Sequence, residues 1–242
     1  MVKENSHIFY APEARDSQPG QQVFLSEDES AHCSRVLRLR PGNMISLIDG
    51  AGRMYNAELT LCGKSECAAT ITEIIPDAYM RPYRCHVAIA PTKNIDRFEW
   101  FVEKAVEFGI DEITPLLCDH SERKILKTDR LEKIAISAVK QSGNLIVPVI
   151  HELTPFARFV ENAQADRKLI AHCEPQEKVF LADNVERGQH VITLIGPEGD
   201  FSDQEIASAL ARGFLPTSLG NTRLRTETAG ISVCAYLAMK NI

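Results

Sequence analysis

The apolar positions of this chain change rhythm about a third of the way along. Between residues 21 and about 75 they come in short alternating runs broken by turns, the pattern of half-buried strands. Val23-Phe24-Leu25 reads as a strand, and Ser26-x-x-Glu29 is a capping box that opens a short helix through Leu37. Residues 44–48, 55–61 and 67–75 read as three more strands. Asp49-Gly50-Ala51-Gly52 and Cys62-Gly63-Lys64-Ser65 are the turns between them. Short strands closely spaced around one helix predict a small β-barrel.

Past a linker at 76–84 the pattern becomes strand, loop, helix. Residues 85–90 form an apolar run that stops at Pro91. Asp96-x-x-Glu99 caps a helix through Phe108, which Gly109 ends. In that helix Phe98, Phe101, Val102, Ala105 and Val106 fall at core-facing spacing. Strands follow at 112–117, 169–172, 191–195 and 214–219, and helices at 131–141 and 227–239. A second capping box, Ser202-x-x-Glu205, opens a helix that stops at Gly213. Alternating elements of this kind predict an α/β domain, a parallel sheet covered by helices. The expected organisation is a barrel domain at 1–75 and an α/β domain at 85–242.

Totals narrow the class. The 242 residues are 44% hydrophobic and 25% charged, ordinary for a globular protein, and the net charge of −6 argues against a wholly basic nucleic-acid coat. Met1 to His7 carry no apolar leader, and no run approaches the roughly 18 apolar residues of a membrane span. Seven cysteines without a CxxC pair read as buried free thiols rather than disulfides or metal ligands, which places the chain in the cytoplasm.

Local charge changes that picture. Residues 30–64 hold five Lys/Arg (35, 38, 40, 53, 64) against two acids (49, 58). On the expected helix Arg35 and Arg38 share a face. Guanidinium forks suit phosphate, although a solvated charged helix gives the same run. Two further stretches, Leu194-Ile195-Gly196-Pro197-Glu198-Gly199-Asp200-Phe201-Ser202 and Ser218-Leu219-Gly220-Asn221-Thr222-Arg223-Leu224-Arg225-Thr226-Glu227-Thr228-Ala229, each leave a strand at a glycine and enter a helix. Such loops lie at the carboxyl edge of a parallel sheet, where α/β proteins bind ligands. No GxGxxG, Walker, HExxH or GxSxG pattern occurs, so nucleotide, zinc-protease and serine-hydrolase readings lack support.

Gly196-Pro197-Glu198-Gly199 with Phe201-Ser202, and Leu219-Gly220 with Leu224-Arg225-Thr226-Glu227-Thr228-Ala229, resemble two signatures of the SPOUT methyltransferases. Within them the chain is most similar to the RsmE group, the 16S ribosomal RNA (uracil-N3) methyltransferases. His32 with Val36-Leu37-Arg38 agrees, as do Lys93 with Arg97, Glu103-Lys104-Ala105 and Gln141-Ser142 with Pro148. The resemblance covers nearly the whole chain. It implies a PUA-like barrel that grips RNA, then a trefoil-knotted domain that holds S-adenosylmethionine and pairs with a second copy.

By that resemblance the cofactor residues are His172, Leu194, Ile195, Gly196, Gly199, Ser218, Leu219, Gly220 and Leu224. The catalytic candidates are Arg225 for developing charge, with Glu198 or Glu227 as base. The RNA contacts are His32, Arg35, Arg38, Lys93 and Arg97. No metal is implied. The last helix, with Gly230, Ala235 and Ala238 among Ile231, Val233 and Leu237, is smooth enough to pair with a second subunit, and an intramolecular helix would look the same. Asp200 stands where the group usually has glycine, and Asn221-Thr222 where a proline-arginine pair is usual. His7 and Asn144 each replace a common arginine. Rival readings are a SPOUT enzyme acting on tRNA or a ribose 2′-hydroxyl, and a non-catalytic RNA-binding scaffold.

Overall fold

The computed structural model describes residues 7–63, 65–75 and 81–242. Residues 76–80 of the expected linker, Lys64 of the basic stretch and the first six residues lie outside the described residues. The chain forms two compact units, Met1–Met80 with Val139–Val147, and Arg81–Ala138 with Pro148–Ile242.

The first unit is built on β1 (Ile8–Tyr10), β2 (Gln22–Phe24), α1 (Glu27–Ala31), β3 (Met44–Ile48), β4 (Met54–Cys62) and β5 (Cys67–Ile75). Its sheet runs β1-β3-β4-β5-β2, with β1 parallel to β3 and the other pairs antiparallel. A 3-10 turn at Pro12–Ala14 touches both β2 and β3 and buries Ala14. Phe9, Ile45, Leu47, Tyr55, Leu59 and Ile71 fill the core. The mid-chain segment 139–147 joins this unit. Gly52 N–H donates to the Leu145 carbonyl (3.1 Å), Val147 N–H to the Gly50 carbonyl (2.9 Å), and Lys140 Nζ to Glu29 Oε1 (2.6 Å). No local sequence signal announced that detour.

The last of these contacts reshapes the expected helix. Ser26 Oγ accepts from Glu29 N–H (3.3 Å), but the Glu29 carboxylate turns to Lys140, so only one arm of the capping box forms. The α-helix ends at Ala31 and widens into a π turn at His32–Val36. There Leu37 N–H donates to the His32 carbonyl and Leu39 N–H to that of Cys33, while Arg38 takes a φ of +54°. The helix predicted through Leu37, with Arg35 and Arg38 on one face, is therefore corrected. Arg35 lies in the π turn and Arg38 at its left-handed end. Widening the turn lets Cys33 reach the core, with Leu37 and Leu39 packed against it.

The second unit holds β6 (Arg84–Ile89), α2 (Ile95–Glu107), β7 (Glu112–Leu117), β8 (Val149–Ile150), β9 (Thr154–Pro155), α4 (Phe156–Asn162), β10 (Arg167–Ala171), β11 (Val179–Phe180), α5 (Leu181–Asn184), β12 (His190–Ile195), α6 (Asp203–Ala211), β13 (Leu215–Ser218) and α7 (Thr226–Lys240); α3 (Asp129–Ser142) starts in it and ends in the first. Its strands run β11-β13-β10-β12-β6-β7-β8, all parallel, and β9 also pairs with β7. Such strands are buried on both faces, and Val191 through Ile195 is accordingly an unbroken buried run. Phe156, Val160, Ile206 and Ala209 of α4 and α6 cover the face that carries Ala88 and Leu194. Helices α2 and α7 cover the other.

A Cβ built at Gly230 would stand 2.5 Å from the Phe101 ring and 3.1 Å from Ile89, so only glycine lets α7 lie this close. Gly230, Val233 and Leu237 are thus occupied within the chain, while Ile231, Ala235 and Ala238 stay half-buried. The α2 cap is Asn94, whose side chain accepts from Asp96 N–H (3.1 Å). Asp96 and Glu99 do not form the predicted cap, because Glu99 pairs with Arg130 (2.7 Å). Gly109 ends α2 as expected, at φ +80°, and Ser202 and Glu205 form both arms of their box. Among the described residues no helix is long and apolar enough to cross a membrane.

Candidate active site

Parallel strands expose their carbonyl ends along one edge, and three of them, β10, β12 and β13, end around one cavity of about 570 Å³. That is within the roughly 300–1,000 Å³ typical of small-molecule sites. The β12 loop enters it through Gly196, where a Cβ would crowd the Phe201 ring and backbone nitrogen at 3.2 Å. The loop turns on an Asp200 N–H bond to the Pro197 carbonyl (2.9 Å). Asp200 itself is left-handed, at φ +66°. Its carboxylate accepts from Phe201 N–H (2.9 Å) and Cys173 N–H (2.6 Å), and its carbonyl faces His120 Nδ1 (3.1 Å). Aspartate tolerates this backbone through such local bonds. The unusual Asp200 thereby fastens the β12 loop to the β10 loop.

The β13 loop closes on the same space. Gly220 takes φ +145°, and Ser218 Oγ donates to its carbonyl (3.0 Å). Arg225 stands at the N-cap of α7, and Thr226 Oγ1, buried, donates to the Gly196 carbonyl (3.1 Å). The two glycine stretches are joined directly by that bond.

Arg225, Glu198 and Glu227 line the cavity, as do His172, Ile195, Gly196, Ser218, Leu219, Gly220, Leu224 and Arg97. Leu194 does not; one residue short of the strand end, it sits in the core under α4 and α6. Gly199 faces His120, 3.2 Å from where its Cβ would stand, and also lies outside the lining. Lys93 pairs with Glu122 (2.8 Å), and its N–H donates to Glu198 Oε1 (3.0 Å). Glu227 is buried in the first turn of α7 with Arg97 Nε 3.9 Å away. The Arg225 guanidinium is exposed and has no partner among the described residues. Sequence reasoning passed over Cys173, Lys178, Thr217 and Arg223, which also line the cavity. Only Arg223, displaced by one place from an expected arginine, carried a signal.

His172 is 7% exposed, and its Nδ1 is buried without a hydrogen-bond partner among the described residues. Burial holds its imidazole below the ordinary value, in the neutral form that can donate to or accept from a ligand. A buried orphan nitrogen beside a cavity calls for a polar ligand atom. Cavity size, this nitrogen and the backbone groups of Ile195 to Gly196 and Leu219 to Gly220 fit a nucleoside-containing cofactor.

In the first unit His32 is exposed, edge-on to Phe9 at 6.1 Å. Arg35, Arg38 and Arg40 are exposed, while Arg53 is paired with Asp16 (2.9 Å). The basic stretch therefore presents fewer free cations than its count suggests.

The amino edge of the parallel sheet is different. Glu112 accepts from Arg84 (2.6 Å) and pairs with His151 Nε2 (2.9 Å), and His86 Nδ1 lies 3.9 Å from it. His86 Nε2 bonds Thr114 Oγ1 (2.8 Å), and His190 completes the group. Burial drives His86 down to about 4, against a smaller upward pull from Glu112.

A family model described as an RNA methyltransferase domain matches residues 80–238, and one described as an RNA methyltransferase PUA domain matches 25–72. The ribosomal RNA small subunit methyltransferase E of a Synechocystis species is 30% identical, over 86% of this chain and 69% of its own length. A crystal structure of a probable rRNA-methyltransferase from Porphyromonas gingivalis shares 39% identity at a TM-score of 0.86, covering 97% of this chain and 98% of the other. That of a ribosomal RNA small subunit methyltransferase E from Neisseria gonorrhoeae, bound to S-adenosyl methionine, shares 28% at 0.88, covering 98% of each.

Proposed function

The chain belongs to the RNA methyltransferase family, in its small-subunit methyltransferase E group, and from that premise we propose that it methylates N3 of one uridine in 16S ribosomal RNA. S-adenosylmethionine is the cofactor, and the architecture is the SPOUT α/β type preceded by a PUA-like domain. One observation carries the reading to this chain's own residues. The two glycine loops are joined through Thr226 and Gly196, around a cavity that Arg225, Glu198 and Glu227 line.

The bound cofactor supplies a methyl group on a positively charged sulfur. Ile195, Gly196, Leu219, Gly220 and Leu224 would hold it through backbone groups, and His172 Nδ1 would supply a polar contact. Uracil N3 is a poor nucleophile until its proton leaves, and the charge then spreads onto the flanking carbonyl oxygens. Arg225, free of other partners among the described residues, stabilises that charge. Glu227 is committed to Arg97 and the first turn of α7. Glu198 keeps one carboxylate oxygen unengaged among the described residues and takes the proton. An N3 edge is hidden in paired RNA, so the target uridine is splayed out. Exposed His32, Arg35 and Arg38 of the first unit contact RNA, and Arg97 and Lys93 of the second unit contact RNA as well. The enzyme works in the cytoplasm as a homodimer, pairing through the half-buried side of α7.

Deleting the gene and digesting small-subunit RNA for mass spectrometry tests this reading. Loss of 3-methyluridine, restored by the cloned gene, is the expected result. Retention of that nucleoside sinks it, and loss of a tRNA or 2′-O-methylated nucleoside instead assigns the neighbouring chemistry.

A further inference from the structure

The fold brings Cys33 to two thiols that face each other across a hairpin, Cys62 and Cys67. Cys33 lies in the π turn, Cys62 ends β4 and Cys67 begins β5, where Cys62 and Cys67 face each other in register. The Sγ atoms of Cys33 and Cys62 are 3.9 Å apart, those of Cys62 and Cys67 are 3.6 Å apart, and all three fall within 4.8 Å of one another. Cys33 and Cys67 are fully buried and Cys62 partly so. We propose that Cys33, Cys62 and Cys67 form a three-thiolate site for a thiophilic metal ion.

The spacing of the sulfurs matches a metal site. With a metal–sulfur bond of about 2.3 Å, neighbouring thiolates of a tetrahedral site stand roughly 3.8 Å apart. The two measured separations bracket that edge. Soft sulfur donors select zinc and monovalent copper over hard cations. Around the sulfurs the polar atoms are carbonyl oxygens, Leu39 O 3.1 Å from Cys62 Sγ, Ser30 O 3.6 Å and Gly63 O 3.7 Å from Cys67 Sγ. Among the described residues, no lysine or arginine side chain is hydrogen-bonded to these sulfurs. On loading, each thiol releases its proton to solvent as its sulfur bonds the metal, so no oxidant is needed. The ion would tie the π turn to the β4–β5 hairpin and fix the turn that carries Arg35.

Full-length protein, reduced with a phosphine and freed of metal by chelation, is titrated anaerobically with Co(II) and separately with Cu(I). The expected result is one equivalent bound, with a sulfur-to-cobalt charge-transfer band in the near ultraviolet. Cys62→Ser should weaken binding by more than the about 10–100-fold typical of losing an outer-sphere partner, while exposed Cys173→Ser leaves it unchanged. Because Cys62→Ser could fail to fold, X-ray absorption on the loaded wild-type protein counts the neighbours directly. Three sulfurs support the site. Fewer sulfurs, no stoichiometric binding of either ion, or a band unchanged in a folded Cys62→Ser overturns it.

Discussion

The two edges of the parallel sheet put the same polar chemistry to opposite uses. At the carboxyl edge, strands β10, β12 and β13 end in loops whose backbone groups, with Arg225 and Glu198, face open space. At the amino edge Arg84, His86, Glu112, His151 and His190 face one another. Strand direction accounts for the difference. Loops that leave the carboxyl ends lead into helix N-termini, and the gaps between them admit a ligand. The amino ends are met by returning chain, and Arg84, His86, Glu112 and His151 find partners there within the protein. Arg225 at one edge, unpaired among the described residues, is available for catalysis, and the Arg84–Glu112–His151 group at the other is committed to stability.

The largest effect is expected at Arg225. Arg225→Ala should lower kcat by about 10²–10³-fold while cofactor affinity, measured by calorimetry, and melting temperature stay near wild type. A fall in stability of matching size would place Arg225 with the amino-edge residues instead. The converse test uses pH. His86 sits near 4 in the folded chain and near 6.5 when unfolded, so the unfolded chain binds the extra proton between those values. Stability is therefore full above about pH 6.5 and is lost as pH falls through 4, by roughly 3 kcal/mol at most. Glu112, also held low by His151, His86 and Arg84, adds a loss of the same sign. Urea titrations across this range should steepen in wild type and flatten in His86→Gln, with cofactor affinity at pH 7.5 unaltered.

Asp200 offers a subtler division, since it is a paired charge at the open edge. Asp200→Ala removes the acceptor of two backbone N–H groups and puts alanine at positive φ, a cost of about 2 kcal/mol. Asp200→Asn keeps the backbone tolerance and one oxygen acceptor, and should cost less than half as much in chemical denaturation. Equal losses would show that the carboxylate's charge, rather than its geometry, holds the β10 and β12 loops together. The smallest effect belongs to Ser202→Ala, which opens the α6 capping box for about 1 kcal/mol, with kcat unchanged.

Local patterns were legible where local forces decide. The apolar run 191–195, the Ser202 box and the glycine after α2 all behave as their neighbours along the chain require. Reading failed where a distant residue intervened. Glu29 left its box for Lys140, Glu99 left its expected cap for Arg130, and Cys33 drew the helix after Ala31 into a π turn. Short pieces such as β8, β9 and β11 exist because neighbouring strands offer them partners, so no periodicity marks them. In the cavity, Gly196, Gly220 and Arg225 were visible by resemblance. Lys178 and Cys173 were not, because the β10 loop is brought there by Asp200.

The hydrogen bond from Thr226 to Gly196 also sets a schedule. During synthesis the chain emerges in order, and early segments can fold before later ones exist. Strands β6, β10 and β12 can pair as soon as they appear, yet the cavity has no wall on its far side until the residues through Ala229 have emerged and α7 has docked. A partly made chain can thus carry a nearly finished sheet and still be unable to retain the methyl donor. Activity switches on with the last helix, so a truncated product of stalled translation would be structured but inert.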